Sequence, residues 1–416
     1  MSSPPWRFGL LAAAGAVGTS SVAPALHDLA LGLDVGPGVV AGVMSAYIVS
    51  YAAATIVAAQ LIDAHGPRRV IRLALLIALV GTLVAGTATG GLALLLGRAV
   101  QGIGAGAVTM SAFDVARRTP NGIAATAAVI TLGASMGPLV GGIGSQLISW
   151  RAAVLLPAVL HLTGFVALRV PSDGGGSHRI DRAGLLATSV GAAAGASGLQ
   201  LAARLPALAG LLGAVALGAL GWACLRSVRR GGRVPPSVIL TRAPLRRRAA
   251  LAACIAATYF ASLVIVPVAL GEAGFGALAI GSLLLPPAVS GALSARFSAA
   301  IGARLGEWTD TVAAWLTLVV LVVLVAGTPV AAAIAIVALA TAYGMVQPRL
   351  LAAVSAAVQD GPATAIGSAN LVLLLGGGAG AAAVGGLGEA LGPAVLLVLV
   401  GLVALRVTHK RSDPVG

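Results

Sequence analysis

The sequence predicts an all-α, polytopic membrane protein with fourteen transmembrane helices. Composition is the first reason. Of 416 residues, 58% are hydrophobic and 9% charged, and mean hydropathy is +1.01; a soluble domain carries about 25% charged residues. So few charges cannot clothe a globular surface in water, and the solvent is largely lipid. Run length is the second. The apolar residues fall in stretches matching the ~20 residues that a membrane helix needs. Lipid offers the backbone no hydrogen bonds, so such runs become helices; barrel strands would alternate in polarity, and these runs do not. The third reason is that basic residues gather in every second short loop, as positive-inside sorting requires.

The spans follow in order. The first six are 8–30, 37–62, 70–89, 91–116, 121–147 and 151–169. Arg7, a short apolar run and Ala23-Pro24-Ala25 imitate a secretory signal, but thirteen further spans argue for a retained first helix. Val170–Arg182, with Pro171, Asp173, three glycines and His178, is a polar linker. Spans 183–203 and 206–226 form a hairpin broken at Ala203-Arg204-Leu205-Pro206. A basic, proline-containing loop covers 227–246. Six more spans follow: 247–270, 275–301, 308–327, 329–350, 361–384 and 388–406.

This six-two-six order predicts three parts: residues 1–169 as an N-terminal six-helix bundle, 170–246 as linker, extra hairpin and basic loop, and 247–416 as a C-terminal six-helix bundle. A doubled six-helix body is a repeat architecture of secondary transporters. The hairpin is poor in polar residues and is expected to pack peripherally. An even span count puts both termini on one side. The basic clusters, among them Arg68, Arg69 and Arg72, Arg117 and Arg118, Arg226 to Arg233, and Lys410 with Arg411, make that side the cytoplasm of a cell (plasma) membrane. Arg151 and Arg204 are exceptions.

The net charge of +14 sits in these loops, which argues against nucleic acid. Lys410 is the one lysine among 26 basic residues, a bias that fits a GC-rich bacterial genome. It also rules out a phosphate-binding loop of the Gly-x-x-x-x-Gly-Lys type. Cys224 and Cys254 have no metal-like spacing and read as small core residues. His27, His65, His161, His178 and His409 are scattered, and no acid pair sits at helical spacing, so neither a membrane-embedded enzyme nor a metal or cofactor is expected. The 57 glycines let helices approach closely, which is what associates them in lipid.

Three segments carry a family resemblance. Ala59–Arg69 reads AQLIDAHGPRR. It resembles the loop signature of the major facilitator superfamily, Gly-x-Leu-Ala-Asp-Arg-x-Gly-Arg-Arg/Lys, at Leu61, Asp63, Gly66 and Arg68, with Arg69 beyond; Ala59, Ala64 and Pro67 depart from it. In the family this loop locks a cytoplasmic gate, which implies that role for Asp63, Gly66, Arg68 and Arg69, with Asp114 as partner. The plainer reading is that Gly66-Pro67 makes a tight turn and the arginines fix topology. Gly97–Ala105 resembles the fourth-helix motif Arg-x-x-Gln-Gly-x-Gly-Ala. Arg98, Gln101, Gly102, Ala105 and Thr109 share one helical face. An arginine deep in a span costs about 2.5–3.5 kcal/mol on insertion scales, so it is expected to face a watery cavity, with snorkelling to the interface as the rival. Gly133, Gly137, Pro138, Gly141 and Gly142 resemble the fifth-helix signature Gly-x-x-x-Gly-Pro-x-x-Gly-Gly of the drug:proton antiporter branch, and Trp150-Arg151 fits too. Tyr47 and Tyr51, with Thr55, lie at steps of four and join the candidate cavity.

Together these imply a major facilitator fold resembling the fourteen-helix drug:proton antiporters. Its work would be export of a small drug-like or secondary-metabolite molecule by proton antiport and alternating access. Import or uniport of a small solute is the alternative, and a membrane enzyme the remote one. The expected partners are a small-molecule substrate, protons and membrane lipid, with the chain acting as a monomer. One departure stands out: where the family often has an Asp in the first helix, this chain has Gly15. All twelve acids lie at span ends or in loops, leaving Asp28, Asp34 and above all Asp114 as candidates for proton coupling.

Overall fold

The computed structural model describes residues 5–116, 122–167, 181–201, 205–229, 239, 242–306, 308–326, 328–357 and 365–385. The span expected at 388–406, most of the 170–182 linker, the centre of the basic loop, and Arg117 and Arg118 lie outside the described residues.

Helices occupy every expected span up to residue 385, and no strand occurs among the described residues. In chain order they are α1 (Pro5–Ser20), α2 (Leu26–Leu33), α3 (Pro37–His65), α4 (Pro67–Gly86), α5 (Gly91–Ala116), α6 (Gly122–Leu147), α7 (Trp150–Ala167), α8 (Arg182–Leu201) and α9 (Pro206–Arg229). Then come α10 (Ala243–Glu272), α11 (Ala277–Leu283), α12 (Leu285–Arg296), α13 (Ser298–Leu305), α14 (Trp308–Ala326), α15 (Pro329–Ala356) and α16 (Ala365–Gly385). Proline opens α3, α4, α9 and α15, where its missing N–H has no partner to lose. At the α3–α4 turn Gly66 takes φ +79°, a conformation that side-chain-bearing residues avoid. The tight Gly66-Pro67 turn read from the sequence is therefore present.

Three expectations change. The first span is not one helix: a 3-10 turn at Ala23–Ala25, with Pro24 in it, separates α1 from α2. The span at 275–301 breaks at Leu284 and again at Phe297. Pro286 and Pro287 start α12, and neither can donate back to the preceding turn. Finally, α10 begins at Ala243, before the expected boundary, so Arg246 joins Arg247 and Arg248 in its first turns rather than ending the loop. Arg248 Nε holds Asp310 Oδ2 of α14 at 3.2 Å.

The chain is the two-bundle helical fold with a central hairpin. Helices α1 to α7 pack on one another, as do α10 to α15, with α16 against α10. The α8–α9 hairpin touches the body through α8 on α3, while α9 is almost wholly exposed, its Leu208, Leu211, Leu217 and Leu225 facing outward as lipid requires. One end of the molecule carries the turns at Asp34, Thr87, Ser149 and Gly274. The opposite end carries Gly66, Asp181 and Arg242. Arg151, an exception to the basic-loop pattern, sits at the Asp34 end, where its Nη2 donates to Ala88 O (3.0 Å) and its guanidinium lies over the Trp150 ring. Its charge serves packing.

The halves meet along two seams. On one, α6 runs beside α11 and α12: Gly142 abuts the Ala277 carbonyl, Gly281 the Pro138 carbonyl, and Ser135 Oγ donates to Ala288 O at 2.9 Å. On the other, α3 runs beside α16, with Gly385 against Ala41, Gly378 against Val49 and Gly367 against Thr55. Both seams are lined by glycine, because only a missing Cβ lets two backbones come this close.

Candidate functional site

Arg98 sits on α5 at the centre of the N-terminal half and is completely buried. Its Nε donates to Val43 O (3.2 Å) on α3, its Nη1 to Gln101 Oε1 (2.6 Å), and its Nη2 to Gly18 O (2.8 Å) on α1. The Tyr47 ring stacks on it, 4.2 Å from guanidinium carbon to ring centre. Gln101 passes the network on, donating to Thr82 Oγ1 of α4 (2.8 Å) and Val154 O of α7 (3.3 Å). Five helices are thus tied to one side-chain pair. A planar guanidinium spreads five N–H donors over a rigid fork and so reaches three acceptors set around it; the three donors of an ammonium radiate from a single nitrogen, which cannot stand where all three of these acceptors are met. In this conformation Arg98 neither snorkels to the interface, the rival reading, nor faces the watery cavity expected of it: the guanidinium is enclosed by protein atoms. Gly102, expected in the cavity, lies instead where α5 crosses α3, facing the Tyr47 carbonyl and Ser50.

Tyr47 and Tyr51 are both buried, their rings 6.1 Å apart. Tyr47 Oη donates to Gly15 O and Tyr51 Oη to Thr109 Oγ1, each at 2.8 Å. Gly15 itself packs against Tyr51, Ala105 and Thr109. An acid at this position would have to displace the tyrosine ring that fills the space.

Across the seam the C-terminal half supplies a matching group. Tyr259 and Phe260 of α10 meet Tyr343 of α15: Tyr259 and Tyr343 stack at 5.2 Å with 15° between planes, and Phe260 stands edge-on to both. Tyr343 is close enough to Tyr51 to interact with it electrostatically. The chain has four tyrosines in all, and all four gather here, two from each half. Those of the N-terminal half have spent their hydroxyls on protein acceptors. Tyr259 and Tyr343 are half-buried, and among the described residues neither hydroxyl has a hydrogen-bond partner. They are polar groups left open between the halves. Neither was singled out from the sequence. The available signal was scarcity: two tyrosines inside apolar spans of a chain with so few aromatics.

The fifth-helix glycines divide between two tasks. Gly133, Gly137 and Gly141, on one face of α6, receive Ala13 and Ser20 of α1 and Ser21 just beyond it. Ser20 Oγ donates across to Ala134 O (3.1 Å). Gly142, one residue on, faces the other half at Ala277, and Pro138 offers its carbonyl to Gly281. The motif therefore serves both the internal packing of one half and its contact with the other.

At the Gly66 end, Asp63 is half-buried and Asp114 buried, and each is engaged by a partner. Arg68 and Arg69 are exposed and are not brought to Asp114 in this conformation. At the Asp34 end, Asp28 accepts from Ser145 Oγ (3.0 Å), joining α2 to α6, and Asp34 is an exposed helix cap at φ +51°. His161 on α7 was read as one of a scattered set. It is fully buried, and among the described residues neither ring nitrogen has a hydrogen-bond partner. Among the described residues no cluster of His, Cys, Asp or Glu could hold a metal ion.

Two lipid-embedded helical halves that meet on glycine seams around a small group of open hydroxyls define a multi-pass membrane transporter. The sequence signature described as Major Facilitator Superfamily matches residues 8–381. The chain belongs to that superfamily, a family of membrane transporters rather than of enzymes. Relatives include the cephamycin export protein CmcT of Amycolatopsis lactamdurans, 31% identical over 145 residues, which are 33% of this chain and 30% of CmcT. Multidrug resistance protein D of Escherichia coli (strain K12) is 30% identical over 159 residues, 36% of this chain and 40% of that protein. The chain thus spans less than half the length of these curated relatives. Among solved structures, the xylose transporter XylE from E. coli in a partially occluded inward open conformation superposes with a TM-score of 0.65 at 12% identity, covering 99% of this chain and 98% of that one. A POT family transporter in complex with 5-aminolevulinic acid gives 0.66 at 14%, covering 98% and 96%. At such identities these establish the fold alone.

Proposed function

We propose that this chain is a secondary active exporter of a small amphipathic or cationic organic compound, working by alternating access and coupled to proton entry. The observation that carries this reading is the aromatic group at the seam between the halves. Ring faces of Tyr259, Phe260 and Tyr343 suit flat or cationic organic groups, which aromatic faces attract by about 0.5–2 kcal/mol each, and the two open hydroxyls would orient the bound molecule. Export rather than import is favoured by the Gly133–Gly142 signature and by the names of the two relatives, an export protein and a multidrug resistance protein. The parts are proposed as bundles 1–169 and 247–416 with 170–246 between, acting as a monomer in the plasma membrane. The test is substrate-dependent efflux: Tyr343→Ala is expected to raise KM at least about tenfold for a cationic aromatic probe, since it removes both a ring face worth up to ~2 kcal/mol and a hydroxyl. Tyr343→Phe should recover most of that loss. Equal KM in all three proteins would remove the aromatic group from substrate binding.

Orientation follows from the arginines, with both termini and the Gly66 end cytoplasmic. In cells expressing a Cys224→Ser, Cys254→Ala background, a cysteine at Ser227 should resist an impermeant maleimide from outside and react after permeabilisation. Labelling in intact cells would invert the map.

For coupling, Asp114 remains the first candidate: it is a buried acid near the cytoplasmic end of α5. Its alternative role is in the gate with Asp63 and Gly66. Asp114→Asn is expected to abolish pH-driven efflux from proteoliposomes while leaving substrate counterflow measurable. If pH-driven exchange persists unaltered, His161 and the acids Asp28 and Asp34 take its place.

A further inference from the structure

A groove of about 800 Å³ lies away from the seam. It lies on the outer flank of the N-terminal half. Helix α5 forms its floor through Ala99, Ile103 and Ala107, at steps of four; α3 and α4 are its walls, and α8 of the extra hairpin closes it with Ala193 and Ala196. Helix α3 lines it from Ser45 to His65, twenty residue steps, or about 30 Å of helix at 1.5 Å per residue. That matches the hydrocarbon thickness of a bilayer. The lining is alanine, valine, leucine and isoleucine with a few serines.

One end is different. His65 and Arg69 line the groove where α3 turns into α4, and Arg68 stands beside them; all three are exposed, and none has an ion pair or hydrogen bond among the described residues. The hairpin is anchored at the same end. The Asp181 backbone N–H donates to Gln60 Oε1 of α3 (3.1 Å), and the Asp181 carboxylate accepts from Arg226 Nε of α9 (3.0 Å). The extra hairpin thus turns an open crevice between α3 and α4 into a covered groove with one basic mouth. An occupant that fits is apolar over most of a membrane's depth and anionic at one end. Basic sites between membrane helices recognise lipid headgroups in this way.

We propose that this groove binds an anionic phospholipid, one acyl chain lying along α5 under α8 and the phosphate resting on Arg69, with Arg68 and His65 beside it. The site is separate from the seam, and the proposal stands whatever compound is carried.

The test is lipid retention by the full-length protein in detergent micelles, read by native mass spectrometry after addition of phosphatidylglycerol or phosphatidylcholine. The wild type should retain phosphatidylglycerol in preference to phosphatidylcholine. Arg69→Gln, a change at an exposed side chain, should lower phosphatidylglycerol retention about fivefold, the effect of one basic residue near a lipid surface, and Arg69→Lys should restore it. Ala193→Trp, which fills the groove from an exposed position on α8, should reduce retention of both lipids. Equal retention of the two lipids by the wild type would overturn the proposal. So would unchanged phosphatidylglycerol retention in either Arg69→Gln or Ala193→Trp.

Discussion

Arg98→Ala is expected to abolish transport and to lower the thermal unfolding midpoint of the purified protein by several degrees. The guanidinium serves Val43 O, Gly18 O and Gln101 Oε1 at once, and Gln101 holds α4 and α7. Removing it leaves three buried acceptors unpaired, at about 1–3 kcal/mol each by soluble-protein measure. Interhelical hydrogen bonds in lipid average only ~0.6 kcal/mol, so the two that Arg98 makes to other helices set a lower bound of about 1 kcal/mol. Even that bound is felt, because the network joins α1, α3, α4, α5 and α7 and the half must move as one piece. Arg98→Lys should behave almost as badly: it keeps the charge, but its donors radiate from one nitrogen and do not reach acceptors spread around the guanidinium fork. Thermal scans in detergent and efflux from proteoliposomes give the two readings. Wild-type melting together with full efflux in the alanine variant would mean that the network is idle.

Gly142→Leu is expected to eliminate transport by holding the halves apart at the Asp34 end. A Cβ at this position would meet the Ala277 carbonyl oxygen at 2.5 Å, with the Gly281 backbone behind it. Backbone cannot swing aside as a side chain does, so the seam between α6 and α11 has to open. Gly210 on α9 has nothing within 4 Å of its would-be Cβ, and Gly210→Leu should be silent. A cysteine at Gly276, next to Gln146 across the same seam, reports the result. In the background lacking Cys224 and Cys254, its labelling by an impermeant maleimide should rise in Gly142→Leu and stay at the parental level in Gly210→Leu. Unchanged labelling with normal efflux would show that the seam is not a closing surface.

The sequence carried different parts of this molecule with different success. Helix positions were legible because the lipid environment acts on each span separately: a run of apolar residues must satisfy its own backbone wherever its neighbours lie. The errors came where proline acts locally within an apolar run. Pro24 and the pair Pro286-Pro287 divide spans that hydropathy alone treats as continuous. The fifth-helix glycines were found by spacing, but not their division of labour. Gly133, Gly137 and Gly141 pack inward while Gly142 faces the other half, and spacing on one helix does not say which neighbour stands on which side.

The site divides in the same way. Arg98 was conspicuous, since a deep arginine in an apolar span demands an explanation. Its partners were not, because two of the three are backbone carbonyls, Gly18 and Val43, which any sequence would supply. Tyr259 and Tyr343 passed unremarked because each is a lone residue in its helix. Their significance is that folding stacks them, and then sets them opposite Tyr47 and Tyr51.

The sequence by itself determined that this protein is helical, multi-pass and a member of the major facilitator superfamily. Those properties depend on residue composition along single spans and on motifs within single helices. Only the tertiary structure decided that Arg98 is sealed in a five-helix network, that all four tyrosines converge at the seam, and that the extra hairpin roofs a groove with a basic mouth. These are contacts between residues tens to hundreds of positions apart. In lipid they are selected by close van der Waals fit and a few interhelical hydrogen bonds, and neither leaves a periodic signal in the chain.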